Sequence, residues 1–166
     1  MTLQELLKQP EGKTLEFKRD LSSIEPIMKT LVAFANTAGG SLIIGVDDNK
    51  KIVGIEDVLA MEEKLTSCVA DNIVPLLLPN IKIAALGKKN ILIIELASMF
   101  HLGPFYLKKK GRDKGVMVRL GSSTRQATPE MIKELEIRRQ SISFDAMPCL
   151  QATEDDLDHE LLKKRF

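Results

Sequence analysis

The chain has 166 residues, 44% of them apolar and 28% charged, and a formal net charge of +1. That length suits one domain with a proper core and is short for two. The near-neutral balance excludes a bulk field drawing the whole molecule onto nucleic acid or membrane, and one Tyr, six Phe and no Trp leave little for an aromatic single-strand platform.

Residues 2–8 read as a short helix stopped by Pro10 and Gly12. "TLEFKRD" alternates, with Leu15 and Phe17 on one face and Glu16 and Lys18 on the other, as a half-buried strand does. "SSIEP" opens a helix, with Ser22 and Glu25 spaced as a capping box and Pro26 in the first turn. Ile24, Ile27, Met28, Leu31 and Ala35 recur at helical spacing until Gly39 and Gly40 close the helix. "SLIIGV" is then a buried strand, and "DDNKKIVG" reads as a turn with a short returning strand.

A second amphipathic helix is expected over 56–73, with Leu65, Val69 and Ile73 inward. "IKIAAL" and "NILIIEL" form a hairpin around "GKK", and "FYLKK" is expected to pair with "VMVRLG" across a basic turn. Thr128 caps a helix begun by Pro129, and a last helix is expected from Thr153. The order predicts an α+β domain whose sheet is mixed and largely antiparallel, flanked by helices. The domain is expected over 1–145, with 146–166 an acidic C-terminal extension leading into a further region.

The N-terminus lacks an apolar signal core, and no apolar run is long enough to span a membrane. Cys68, Cys149, His101 and His159 are isolated, so no zinc site arises from local spacing. A reducing, cytoplasmic setting is expected. "TAGG" lies between a helix and the following strand, the reverse of a phosphate-binding loop. Its glycines therefore belong to a C-cap, where exposed carbonyls repel anions.

Two features carry chemistry. If the first strand neighbours "SLIIGV", then Glu11, Glu16 and Asp47 converge, and three carboxylates together call for Mg²⁺ or Mn²⁺. Lys18 shares the face of Glu16, and Glu-x-Lys after an upstream acid is the skeleton of many metal-dependent nucleases. The second feature is basic: Lys108, Lys109, Lys110, Arg112, Lys114, Arg119 and Arg125 stand against Asp113 alone. With the hydroxyls of Ser122 and Ser123, this segment offers backbone-phosphate contacts. Asn36, in the last turn of its helix, is expected to cap locally.

"EGKTLEFKRDL" (11–21), "LVAFANTAGGSLIIGVDDNKKIVGI" (31–55) and "VMVRLGSSTRQATPEMIKEL" (116–135) together resemble the Schlafen/Alba-type DNA-binding domain. The resemblance implies a mixed sheet flanked by helices, placed N-terminally in bacterial transcriptional regulators. It also implies, from the paired units of animal Schlafen proteins, a homodimer. Some of those relatives cleave transfer RNA with two glutamates and an aspartate, which by motif fall on Glu11, Glu16 and Asp47. The leading expectation is a nucleic-acid-binding domain, DNA rather than RNA, acting through the basic segment and with no membrane partner. The alternative is a divalent-metal-dependent ribonuclease cleaving transfer or ribosomal RNA, with Lys18 assisting the three acids.

Overall fold

The computed structural model describes residues 3–146, and side chains over 4–140. In chain order, α1 (Leu3–Lys8) and β1 (Leu15–Lys18) precede α2 (Ile24–Asn36), β2 (Gly40–Ile44), α3 (Val58–Asn72) and β3 (Ile73–Val74). The long hairpin of β4 (Asn80–Leu86) and β5 (Lys89–Leu96) follows, then β6 (Tyr106–Leu107) and α4 (Gly111–Gly115). The second hairpin, β7 (Met117–Leu120) and β8 (Ser123–Gln126), leads into α5 (Pro129–Ala146).

The main sheet has the order β1-β2-β5-β4. β1 runs parallel to β2, and the other two pairs are antiparallel. This is the mixed, largely antiparallel sheet that the element order predicts. The central strands read as unbroken apolar runs because both of their faces are covered. On one face Leu42, Ile44, Leu92 and Ile94 pack with α2 and with Leu65 and Val69 of α3. On the other, Ile43, Ile91 and Ile93 meet Leu15 and Phe17, with Leu6 and Leu7 of α1 against them.

α2 is the core helix. From Ile27 to Asn36 every residue except Lys29 is buried, as expected when a helix is covered on two sides. The main sheet covers one side; β6 and β7 cover the other. Asn36 fixes that second side. Its Nδ2 donates to the carbonyls of Phe105 (2.8 Å) and Met117 (3.0 Å), and its Oδ1 accepts from the Phe105 N–H (2.7 Å). The expected local cap is thus replaced by a clamp between segments remote in sequence.

The glycine pair does what its position demands. Gly39 has φ +75° and returns its N–H to the Phe34 carbonyl at 2.9 Å. A Cβ there would sit 2.5 Å from the Leu96 carbonyl oxygen, and one at Gly40 would sit 2.8 Å from that of Thr14. Glycine is required because backbone passes against backbone. The end of the helix is satisfied internally: Thr37 Oγ1 donates to the Ala33 carbonyl, the Met99 N–H to that of Ala35, and Ser98 Oγ to that of Thr37. No donor array for phosphate exists there.

Several local expectations are corrected. Ser23, with no side-chain cap bond, is the N-cap of α2. The Ser22 N–H donates to Asp20 instead, and Glu25 faces Lys29 and Lys110, so no capping box forms. "DDNKKIVG" turns and returns as expected, but through one bridge, Val46–Ile52, with the Val53 and Gly54 N–H groups donating to the Gly45 carbonyl and Asp47 bonding across the turn. Ile73 is buried but belongs to β3. β6 pairs with β3, touches Val116 only through Tyr106, and leaves β7 to pair with β8. The basic segment is therefore a loop closed by one antiparallel bridge, Tyr106–Val116, and not the tip of a laddered hairpin. The helix expected from Thr153 lies outside the described residues.

Asn36→Leu keeps the branched shape at a larger volume and orphans one donor and two acceptors in the core. At about 1–3 kcal/mol per orphaned group, urea unfolding is expected to show a loss of at least about 3 kcal/mol through the midpoint, at unchanged slope. A loss below about 1 kcal/mol would contradict the clamp.

Candidate nucleic-acid interface

The three acids occupy three separate settings. Glu11 lies before β1 and its Oε1 accepts the Phe17 N–H at 2.9 Å, sealing the outer edge of that strand. Glu16, buried on β1, meets Lys18 Nζ at 2.5 Å through Oε1 and Arg119 Nη2 at 2.5 Å through Oε2. Asp47 Oδ1 accepts the N–H groups of Asn49 (3.0 Å) and Lys51 (2.9 Å), an Asx turn at the end of β2. Among the described residues no group of three His, Cys, Asp or Glu is arranged to hold a metal ion. The donor set therefore does not fit Mg²⁺ or Mn²⁺, since its carboxylates are committed to cations and to backbone N–H groups. Lys18 serves Glu16 as a counter-ion.

Arg119 is expected at a phosphate or in a surface pair; it is instead the most buried cation described. Its side chain is 1% exposed. Nε and Nη2 both donate to the Gly12 carbonyl, at 3.0 and 2.9 Å, and Nη1 donates to Thr124 Oγ1 at 2.9 Å. The guanidinium also lies 5.4 Å from the centre of the Phe34 ring. A planar fork can satisfy that set, whereas a lysine ammonium cannot. Arg119 is thus a structural tie between β7 and β1, unavailable to a ligand. Ser122 and Ser123 are exposed at the turn of the β7–β8 hairpin, and Arg125 is exposed on β8.

The basic segment has a definite form. Lys108–Lys110 make one 3₁₀ turn and α4 follows at once, so residues 108–114 bulge between buried Leu107 and buried Gly115. The two ends touch. A Cβ on Gly115 would lie 2.6 Å from the Leu107 carbonyl oxygen and 2.9 Å from its nitrogen. The loop is therefore closed at its neck by backbone contact, and its lysines project from a fixed base.

Charge within the loop is divided. Lys110 Nζ lies 2.9 Å from Glu25 Oε1, which Lys29 also reaches at 2.9 Å. Hydrogen bonds from Lys110 and then Lys29 hold the Glu25 carboxyl down to about 2. It stays charged throughout the neutral range, and protonation would release the lysines only as pH falls through that value. The same contact raises the Lys110 ammonium. Arg112 pairs with Glu136 at 2.5 Å. Lys108, Lys109 and Lys114 are exposed with no ion-pair partner among the described residues. Sequence reasoning missed Glu25 and Glu136 as modulators. The Glu25–Lys29 spacing of four is a visible signal, but the contacts to Lys110 and Arg112 are tertiary.

The profile of the family described as Schlafen, AlbA_2 matches residues 11–128. The N-terminal domain of a RecG-related protein from Nitrosomonas europaea, determined by solution NMR, is 29% identical with a TM-score of 0.56. The match covers 76% of this chain and 90% of that one. A crystal structure of the DIP2311 protein from Corynebacterium diphtheriae shares the fold at 18% identity and a TM-score of 0.59, over 82% of this chain and 28% of that one. No curated protein matches this chain.

Two measurements test the site geometry. Arg119→Met leaves Glu16 buried beside Lys18 alone and is expected to cost about 3–5 kcal/mol in unfolding free energy. Combining it with Glu16→Leu is expected to cost less than the sum of the two single changes, because no unpaired charge remains; additivity would contradict a coupled pair. Titrating Mn²⁺ is expected to leave the thermal midpoint of the unaltered protein unchanged. A midpoint that climbs with Mn²⁺ would mean that the acids gather around a cation after all.

Proposed function

The chain belongs to the Schlafen AlbA_2 family, and on that premise we propose that it is a DNA-contacting domain of a bacterial transcriptional regulator. The observation that carries this reading is the closed loop 108–114, which presents Lys108, Lys109 and Lys114, unpaired among the described residues, from a neck closed by backbone contact. The Nitrosomonas neighbour adds support, being named as related to a DNA helicase.

The contact is electrostatic. Lysine ammoniums on a fixed base meet phosphate oxygens as point charges, without reading bases. Each phosphate neutralised releases condensed counter-ions, so affinity falls as salt rises. Glu25 and Glu136 hold Lys110 and Arg112 in reserve, which keeps the loop from binding polyanions more tightly. A homodimer of such domains would present two loops to one nucleic acid.

Three phosphates neutralised give a log–log salt slope of about −2.7 on duplex DNA and about −2.1 on a single strand. Replacing Lys108, Lys109 and Lys114 by Ala is expected to remove most of that slope in fluorescence anisotropy. A slope unmoved by the triple change would sink the assignment. Glu25→Gln leaves Lys29 and Lys110 without their carboxylate, and is expected to steepen the slope by about 1 for each lysine recruited. Weaker binding by that variant would count against the reserve role.

A further inference from the structure

Beside the loop lies a recess that the phosphate reading leaves unused. It opens between the first turns of α2, the end of α3 and the base of the loop, with a cavity of about 210 Å³. Its floor is apolar: Ile24 and Met28 from α2, and Leu107 from β6. The rest of its lining is polar: Glu25, Asn72, Lys109 and Lys110. We infer that this recess takes one unstacked nucleobase from a single strand whose phosphates lie on the neighbouring lysines. The inference rests on the proposed phosphate contact and names the form of nucleic acid that the same surface holds.

Size comes first. The cavity is smaller than the roughly 300–1,000 Å³ typical of pockets for drug-sized ligands, which leaves room for a single heterocycle. Chemistry comes second. An aliphatic floor covers the faces of a flat ring as apolar side chains do for bases taken out of the stack. No aromatic residue lines the recess, so shape and burial act where a stacking platform is absent.

Orientation comes third. Asn72 Nδ2 donates to the Cys68 carbonyl at 2.8 Å, which fixes the amide. Its Oδ1 has no hydrogen-bond partner among the described residues and can accept from an exocyclic amine on a base edge. Charge comes last. Lys109 belongs both to the recess and to the loop, so a base in the cavity leaves its own phosphate within the lysine cluster. Glu25 at the same rim is neutralised by two lysines and does not repel that phosphate. A base paired within a duplex cannot enter.

The test uses the unaltered protein and three probes of one sequence: a single-stranded DNA, its duplex, and the same strand with abasic sites. The single strand is expected to bind about tenfold more tightly than the abasic strand, the effect of burying roughly 55 Å² of apolar surface. A 2-aminopurine in the strand is expected to brighten on binding, since it leaves its stacked neighbours for a recess without aromatics. Asn72→Ala is expected to erase most of the preference while keeping the salt slope. Equal binding of intact and abasic strands, with the salt slope present, overturns the base recess and leaves the phosphate contact standing. Salt-independent or absent binding to all three overturns the phosphate contact, and the recess with it.

Discussion

The buried guanidinium of Arg119 is the constraint around which the rest is arranged. It reaches from β7 to the Gly12 carbonyl and the Glu16 carboxylate, so it joins the second hairpin to the edge strand of the main sheet. Burying a charge is unfavourable unless it is both paired and hydrogen-bonded. Arg119 meets both conditions, and Thr124 and the Phe34 ring complete its surroundings. Because Glu16 must face it, Glu16 cannot face solvent or a metal. Because Glu11 caps the Phe17 N–H on the same strand, β1 ends as a sealed edge. Glu11 and Glu16, which read in sequence as part of a catalytic cluster, close the edge strand in the fold, while Asp47 holds the turn after β2.

Asn36 does the complementary work in the core. With Arg119 it fixes β7 at two levels, one through the Met117 carbonyl and one through the residue two positions later. The position of β7 in turn fixes Gly115, whose missing side chain lets the chain close against Leu107. The basic loop is therefore positioned by buried polar groups some distance from it in sequence. A surface assembled in this way can present lysines without ordering them separately, so less entropy is lost on binding than from a free tail.

Local pattern carried much of this in the sequence. The alternation of Leu15, Glu16, Phe17 and Lys18 specified both the strand and its faces, although it left open that the polar face would be roofed by β7. Gly39 and Gly40 were readable as a helix-to-strand turn, because helix, glycines and strand in that order admit little else. The β4–β5 hairpin followed from two apolar runs and "GKK". Most of the failures share one physical cause: partners remote in the chain. Arg119 looks like any exposed strand arginine until Gly12 and Glu16 are placed beside it, and Asn36 looks like a cap until Phe105 and Met117 arrive. Ser22 and Glu25 had capping-box spacing, yet Asp20 and Lys110 offered better contacts.

One experiment separates the two halves of the account most directly: a backbone ¹⁵N–¹H titration of the protein with a short single-stranded DNA, following chemical shifts residue by residue. The account predicts that the largest changes fall on Lys108–Gly115, Asn72 and the first turn of α2, with Glu11–Lys18 and Asp47 still. Changes centred on Glu11, Glu16 and Asp47, with the loop unmoved, would contradict it and return the acids to the centre of function.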